Sequence, residues 1–236
     1  MFEEISHGEL FYSSNDFFSY PELKPEIDER FDVFLPKSEK LSEYLVAFSS
    51  EPTTYCVGIV DMVNSTKISA QIGPSRVPRY YQLFLNSMSK ILSRFGGFVI
   101  KNVGDCLVYY FPESGKPENK YGLLSCLECG LAMTESQKYI SEQLIKEGLP
   151  EINFRVSADF GSVLIMKSNV SNSLDMIGSP LNMCSKINHM AEKNQFVVGG
   201  DLFQMSKGLD DYLFTGINDF SLDFKLSYPI YSVSRK

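Results

Sequence analysis

Two aspartates stand where a chain of this kind can do chemistry. Asp61 closes the apolar run TYCVGIVD, and Asp105 sits in KNVGD, a polar tip between the apolar stretches FVI and CLVYYF. Carboxylates brought side by side from neighbouring strands repel unless a proton or a cation lies between them. A hard divalent cation suits this chain, which has only two histidines and no paired Cys/His sets. Magnesium held by one or two carboxylates takes its other ligands from water and phosphate, so such a metal implies a nucleotide. The loop after Asp61, Met62-Val63-Asn64-Ser65-Thr66, runs into a helix N-terminus whose N–H groups can grip phosphate oxygens. Two metals bridging an attacking and a leaving oxygen would make this a phosphoryl-transfer site. A second reading fits the same spacing: Asp61 caps the following helix, and Asp105 only serves a hairpin turn.

The elements that must position these residues follow from periodicity. Residues 55–61 form a continuous apolar strand, predicted to be central in a sheet with both faces covered. Val77, Tyr80, Tyr81, Phe84, Leu85, Met88, Ile91, Leu92 and Phe95 recur at three- and four-residue spacing, which predicts a helix over 76–95. Residues 96–111 read as turn, strand, tip and strand, with Gly104 placed for a positive φ. A long helix is expected over 120–147, stopped by Gly148 and Pro150. Residues 152–160 and 162–167 read as a hairpin around Gly161, and 181–193 as a helix entered through Gly178-Ser179-Pro180. A short strand at 196–198, a short helix at 201–206 and a strand-turn-strand tail over 214–233 complete the order. The plan is α+β, a ferredoxin-like βαββαβ (split βαβ) domain with a C-terminal β extension. Residues 1–50 differ in texture, mixing aromatics, prolines and acidic residues, and are read as an N-terminal arm or regulatory extension before a domain over 51–236.

Composition bounds the partners. With 236 residues, 44% hydrophobic and 13% aromatic, the chain can build a substantial core. A net charge of −7 without a Lys/Arg cluster argues against nucleic acid. No apolar run approaches the roughly 20 residues needed to span a bilayer, and the acidic N-terminus lacks the layout of a signal peptide. Five cysteines, mostly inside apolar segments, read as buried reduced thiols, so a cytoplasmic location is expected. Cys126 and Cys129 have metal-like spacing but lie in a predicted helix without a second pair, and are read as core.

Four segments together resemble the class III nucleotidyl cyclases, the adenylate and guanylate cyclases, over residues 54–233. VGIVDMVNST (57–66) resembles the first metal segment of that family, and GGFVIKNVGDCLVYYF (96–111) its second metal hairpin. FRVSADFGSVLIM (154–166) resembles the hairpin that carries a phosphate-contacting arginine, and LDMIGSPLNMCSKINHMAE (174–192) the segment that reads the base and stabilises the transition state. The family commonly has Gly-Phe at the place of Asn64-Ser65, glycine at Ser157 and arginine at Lys186.

The resemblance implies an adenylate cyclase that closes ATP to 3′,5′-cyclic AMP with release of pyrophosphate, using two divalent cations, Mg²⁺ or Mn²⁺. It assigns Asp61, the adjoining Met62 and Asp105 to the metals, and Val63, Asn64, Ser65, Thr66 and Arg155 to the phosphates. Lys225 would meet the terminal phosphates. Lys101 and Asp175 would read the base, Asn182 would orient the ribose, and Lys186 would meet charge on the α-phosphate. In this family two domains meet head to tail, so a homodimer with two composite sites is implied. Lysine donates and aspartate accepts, which suits the N1 and 6-amino edge of adenine. Guanylate cyclases of the family typically carry glutamate at the position of Lys101. The alternatives are cyclisation of GTP, CTP or UTP on the same fold, or a weakly active or non-catalytic nucleotide-binding homologue, the latter motivated by Lys186.

Overall fold

In the computed structural model, described for residues 46–116, 120–168, 174–217 and 228–236, one strand organises the rest. This is β2 (Thr53–Met62), which is flanked on both sides. On one edge it pairs antiparallel with β4 (Cys106–Phe111), and on the other with β5 (Phe154–Ser168). The hairpin partner β3 (Phe98–Val103) lies outside β4. The order β3-β4-β2-β5 is that of a split βαβ sheet, as the sequence predicted. Beyond β5 the sheet continues through β7 (Phe196–Gly199), β9 (Ile230–Arg235) and the edge strand β8 (Tyr212–Ile217). Only the β5–β7 pair in this extension is parallel.

The period of two in β2 separates two cores. Cys56, Val60 and Met62 pack with α2 (Val77–Arg94), α3 (Tyr121–Glu135) and α4 (Gln137–Lys146). Val57 and Ile59 face the other way, towards Cys184 of α5 (Ser179–Asn188). Gly58 is required within β2, because a Cβ there would lie 2.4 Å from the ring of its register partner Tyr109. Cys126 and Cys129 are both buried in the first of these cores.

Two expectations are corrected. The helix expected over 120–147 is two helices that meet at Ser136, whose buried hydroxyl donates to the carbonyl of Met133 at 2.6 Å. Such back-bonding competes with the helical ladder and bends the chain. The hairpin expected around Gly161 does not form, and β5 runs unbroken through that residue. Gly161 pairs with Tyr55 within that strand, and a Cβ there would meet Pro180 at the start of α5 at an ordinary contact distance of 3.4 Å. Strand β6 (Leu174–Ile177) pairs antiparallel with Leu164–Lys167 of β5. At the near end, β1 (Val46–Phe48), in the last residues of the segment read as an arm, also pairs with β5. Residues 1–45 lie outside the described residues.

A buried carboxylate ties the extension to the central sheet. Asp159 of β5 is 1% exposed and accepts from the Tyr228 hydroxyl at 2.7 Å. It also accepts from the N–H groups of Phe160 at 2.9 Å and of Leu202, in α6 (Gly200–Ser206), at 3.2 Å. Only a glycine fits at 199, where a Cβ would come within 2.4 Å of that carboxylate. Burial pushes the Asp159 carboxyl from the usual 3.8 to about 6, against the pull of its hydrogen bonds. The folded chain therefore keeps a proton that the unfolded chain releases, and the contribution of Asp159 to stability falls as pH rises through that window. Thermal melts should show wild type losing more stability than Asp159→Asn between about pH 4.5 and 6.5. Equal slopes for the two proteins would contradict this assignment.

Candidate active site

Strand register brings the two sequence-selected aspartates together. Asp61 is the cross-strand partner of Cys106 in β4 and of Arg155 in β5. Asp105 immediately precedes Cys106, in the two-residue loop that follows Val103. Gly104, the first loop residue, has φ +62°, as its place in the sequence predicted. The electrostatics follow from this register. The Asp61 carboxyl is raised first by burial and then by the charge of Asp105, while His189 and Arg155 oppose that shift. Burial, with Asp61 and Asp105 adding to it, also pushes the Cys106 thiol up to about 12. Two negative groups thus face one spot, with cationic Arg155 beside them.

The segment after Asp61 turns at once into α1 (Ser65–Ile72). Asn64 takes φ 59°, a left-handed conformation that asparagine tolerates better than other non-glycine residues. This accounts for asparagine where the family commonly has glycine. The helix begins with the Ile68 N–H bonded to the Asn64 carbonyl at 3.0 Å, and no side chain caps its first turn. Its leading N–H groups are available to an anion. Val63 is buried, Ser65 half-buried, and Asn64 and Thr66 are exposed.

The remaining predicted residues fall in two places. Lys101 donates to Asp175 Oδ2 at 2.6 Å, joining β3 to β6. The other carboxylate oxygen of Asp175 accepts from the Met176 N–H at 2.7 Å, so the pair is held in place. An irregularity between Val99 and Lys101 leaves Ile100 buried and Lys101 exposed. Asn182 and Lys186 are exposed on α5, four residues apart on one helical face, with His189 following. Lys225 lies outside the described residues.

No group of three or more His, Cys, Asp or Glu side chains suited to a metal occurs among the described residues. Two mutually repelling carboxylates fit a hard cation that shares its ligands with phosphate and water. Sequence reasoning passed over Asn188 and underrated Ser157, both buried next to this site. Asn188 is the last residue of α5, after the buried Cys184 and Ile187, and an isolated polar residue there gives no signal in the sequence alone.

Residues 49–234 match the family described as "Adenylate and Guanylate cyclase catalytic domain". The chain belongs to that family, and is therefore a class III nucleotidyl cyclase. It is 22% identical over 183 residues to an adenylate cyclase of Anabaena cylindrica, covering 74% of this chain and 36% of that protein. It is 24% identical over 137 residues to a uridylate cyclase of Rhodovulum sp. (strain MB263), covering 56% of each. The chain thus spans well under two thirds of both curated relatives. Among solved structures, the adenylyl cyclase CyaB from P. aeruginosa superposes with a TM-score of 0.71 at 20% identity, over 79% of this chain and 96% of that one. Among the described residues, no helix is long and apolar enough to cross a membrane.

Asp105→Asn would remove the like charge from Asp61. The metal-free variant should melt about 2–4 °C higher, the equivalent of roughly 1 kcal/mol in a chain of this size. Added Mn²⁺ should raise the melting temperature of wild type and leave that of the variant unchanged. A variant that melts lower than wild type and still responds to Mn²⁺ would contradict the proposed pairing.

Proposed function

We propose that this chain is an adenylate cyclase, converting ATP to 3′,5′-cyclic AMP and pyrophosphate at two composite sites of a homodimer. The observation that carries the base assignment is the Lys101–Asp175 pair, one donor and one acceptor fixed at the edge of the domain. Lys101 would donate to adenine N1 and Asp175 accept from the 6-amino group. Guanine reverses that pattern and leaves like groups facing each other.

In this reading Asp61 and Asp105, with Met62 adjoining, hold two divalent cations, Mg²⁺ or Mn²⁺. When bound, these favour the 3′-alkoxide and neutralise the triphosphate. Val63, Asn64, Ser65 and Thr66 place the leading N–H groups of α1 on the phosphates, and Arg155 and Lys225 contact them from other elements. The partner copy contributes Lys101, Asp175, Asn182 and Lys186. Asn182 orients the ribose so that the 3′-oxygen faces the α-phosphorus. The O3′–P bond forms as the bond to the β-phosphate oxygen breaks, and the 3′-hydroxyl proton passes to solvent. Lys186 meets the charge that grows on the α-phosphate as a point charge, without the two-pronged grip of an arginine.

Residues 51–236 would form the catalytic domain and residues 1–50 an arm. A cytoplasmic location fits both the substrate and the five free cysteines. A second reading, cyclisation of another base on the same fold, is kept because the chain is also similar to a uridylate cyclase. The test is product analysis by mass spectrometry after incubating the chain with ATP, GTP, CTP and UTP in the presence of Mn²⁺. Cyclic AMP should dominate, and Lys101→Glu should cut kcat/KM for ATP by about tenfold or more. Faster cyclisation of any other triphosphate would overturn the base assignment.

A further inference from the structure

Helix α5 buries Pro180, Cys184, Ile187 and Asn188 against the sheet. Asn188 is the polar exception, at 2% exposed. Its Nδ2 lies 3.3 Å from the Arg155 carbonyl oxygen, 3.5 Å from that of Ile59, and 3.2 Å from Ser157 Oγ. Backbone carbonyls only accept, so the amide nitrogen must face them and Oδ1 must point the other way. The Ser157 hydroxyl is engaged in turn with the Cys184 carbonyl at 3.0 Å, which locks the arrangement. Among the described residues, three buried side-chain polar atoms lack a hydrogen-bond partner: Asn188 Oδ1, Arg155 Nε and Ser206 Oγ. The first two are an acceptor and a donor on residues already in contact. Buried polar atoms in native proteins are almost always paired, with protein or with an ordered water.

We propose that one buried water joins the two residues, accepting from Arg155 Nε and donating to Asn188 Oδ1, which makes Asn188 a positioning residue for Arg155. Arg155 is the register partner of Asp61, so the direction of its guanidinium decides what lies beside the paired carboxylates. Tying Nε to the interior leaves the two terminal nitrogens as an outward fork, the geometry that grips phosphate oxygens two at a time. The serine at 157 and the asparagine at 188 then act together: the hydroxyl and two carbonyls fix the amide, and the amide aims the arginine. This inference rests on the reading of Arg155 as a phosphate contact.

The test is a double-mutant cycle read by calorimetry, with Mn²⁺-tripolyphosphate as a probe that carries no base. Arg155→Ala should weaken binding by about tenfold or more, the scale of a lost charge-assisted hydrogen bond. Asn188→Leu, similar in volume but without an acceptor, should weaken it about tenfold with Arg155 present and less than twofold in the Arg155→Ala background. Asn188→Asp keeps an acceptor and loses the N–H donors, so it should lower Tm while holding near-wild-type affinity. Should Asn188→Leu fail to fold, Asn188→Ala takes its place in the cycle. Equal effects of the Asn188 change in both backgrounds would reduce Asn188 to a packing residue and overturn the proposal. So would an Asn188→Asp variant that binds as poorly as Asn188→Leu. If Arg155→Ala itself leaves affinity unchanged, the phosphate role of Arg155 fails first, and the proposal with it.

Discussion

Repulsion between two carboxylates, imposed by strand register, is the constraint around which this domain is arranged. Asp61 cannot move away from Asp105 without breaking the ladder between β2 and β4, and that ladder is anchored by buried residues on both faces. Burial raises the Asp61 carboxyl first, and the charge of Asp105 adds to that shift. Arg155 offsets part of it from β5. Strained electrostatics of this kind gather where a ligand of opposite charge is to be received. The uncapped first turn of α1, following directly from Asp61, supplies donors for the anion such a cation would accompany.

The ion pair between Lys101 and Asp175 is of a different kind. Its side chains are 44% and 24% exposed, and pairs in such surroundings contribute about 0–1 kcal/mol to stability. Apolar packing of Ile100 with Met176 in one buried cluster, rather than the ion pair, holds β3 beside β6. A fixed donor beside a fixed acceptor at a solvent-accessible edge suits recognition of a flat heterocycle, the use assigned to it above. Asp159 shows the opposite logic. It is enclosed and fully engaged, and its hydrogen bonds run to α6 and to Tyr228, so it ties the C-terminal extension to the sheet.

Much of this was legible in the sequence because periodicity and turn chemistry agreed. The apolar spacing of α2, the tip glycine at 104 and the continuous apolar run of β2 each dictated one local structure, and each formed. Where a residue type serves two purposes, the sequence misled. Gly161 reads as a turn glycine, yet it lies inside β5, paired with Tyr55 in an unbroken strand. Ser136 carries no break signal in a long helical pattern, and the helix divides where its buried hydroxyl donates to the Met133 carbonyl. Asn188 was hidden for the reverse reason: an isolated polar residue in an apolar stripe has no meaning until its surroundings are known. Here those surroundings are the carbonyl of Ile59, two residues before Asp61, and that of Arg155, beside it in register.

The account turns on dications seated between Asp61 and Asp105 beneath a triphosphate, with the base held by a second copy. Crystals grown with Mn²⁺ and 3′-deoxy-ATP, which cannot cyclise, would test this through the anomalous signal of manganese. The account predicts peaks bonded to both carboxylates of one copy, and adenine against Lys101 and Asp175 of the other. Manganese bound elsewhere, or a nucleotide held entirely within one copy, would contradict it.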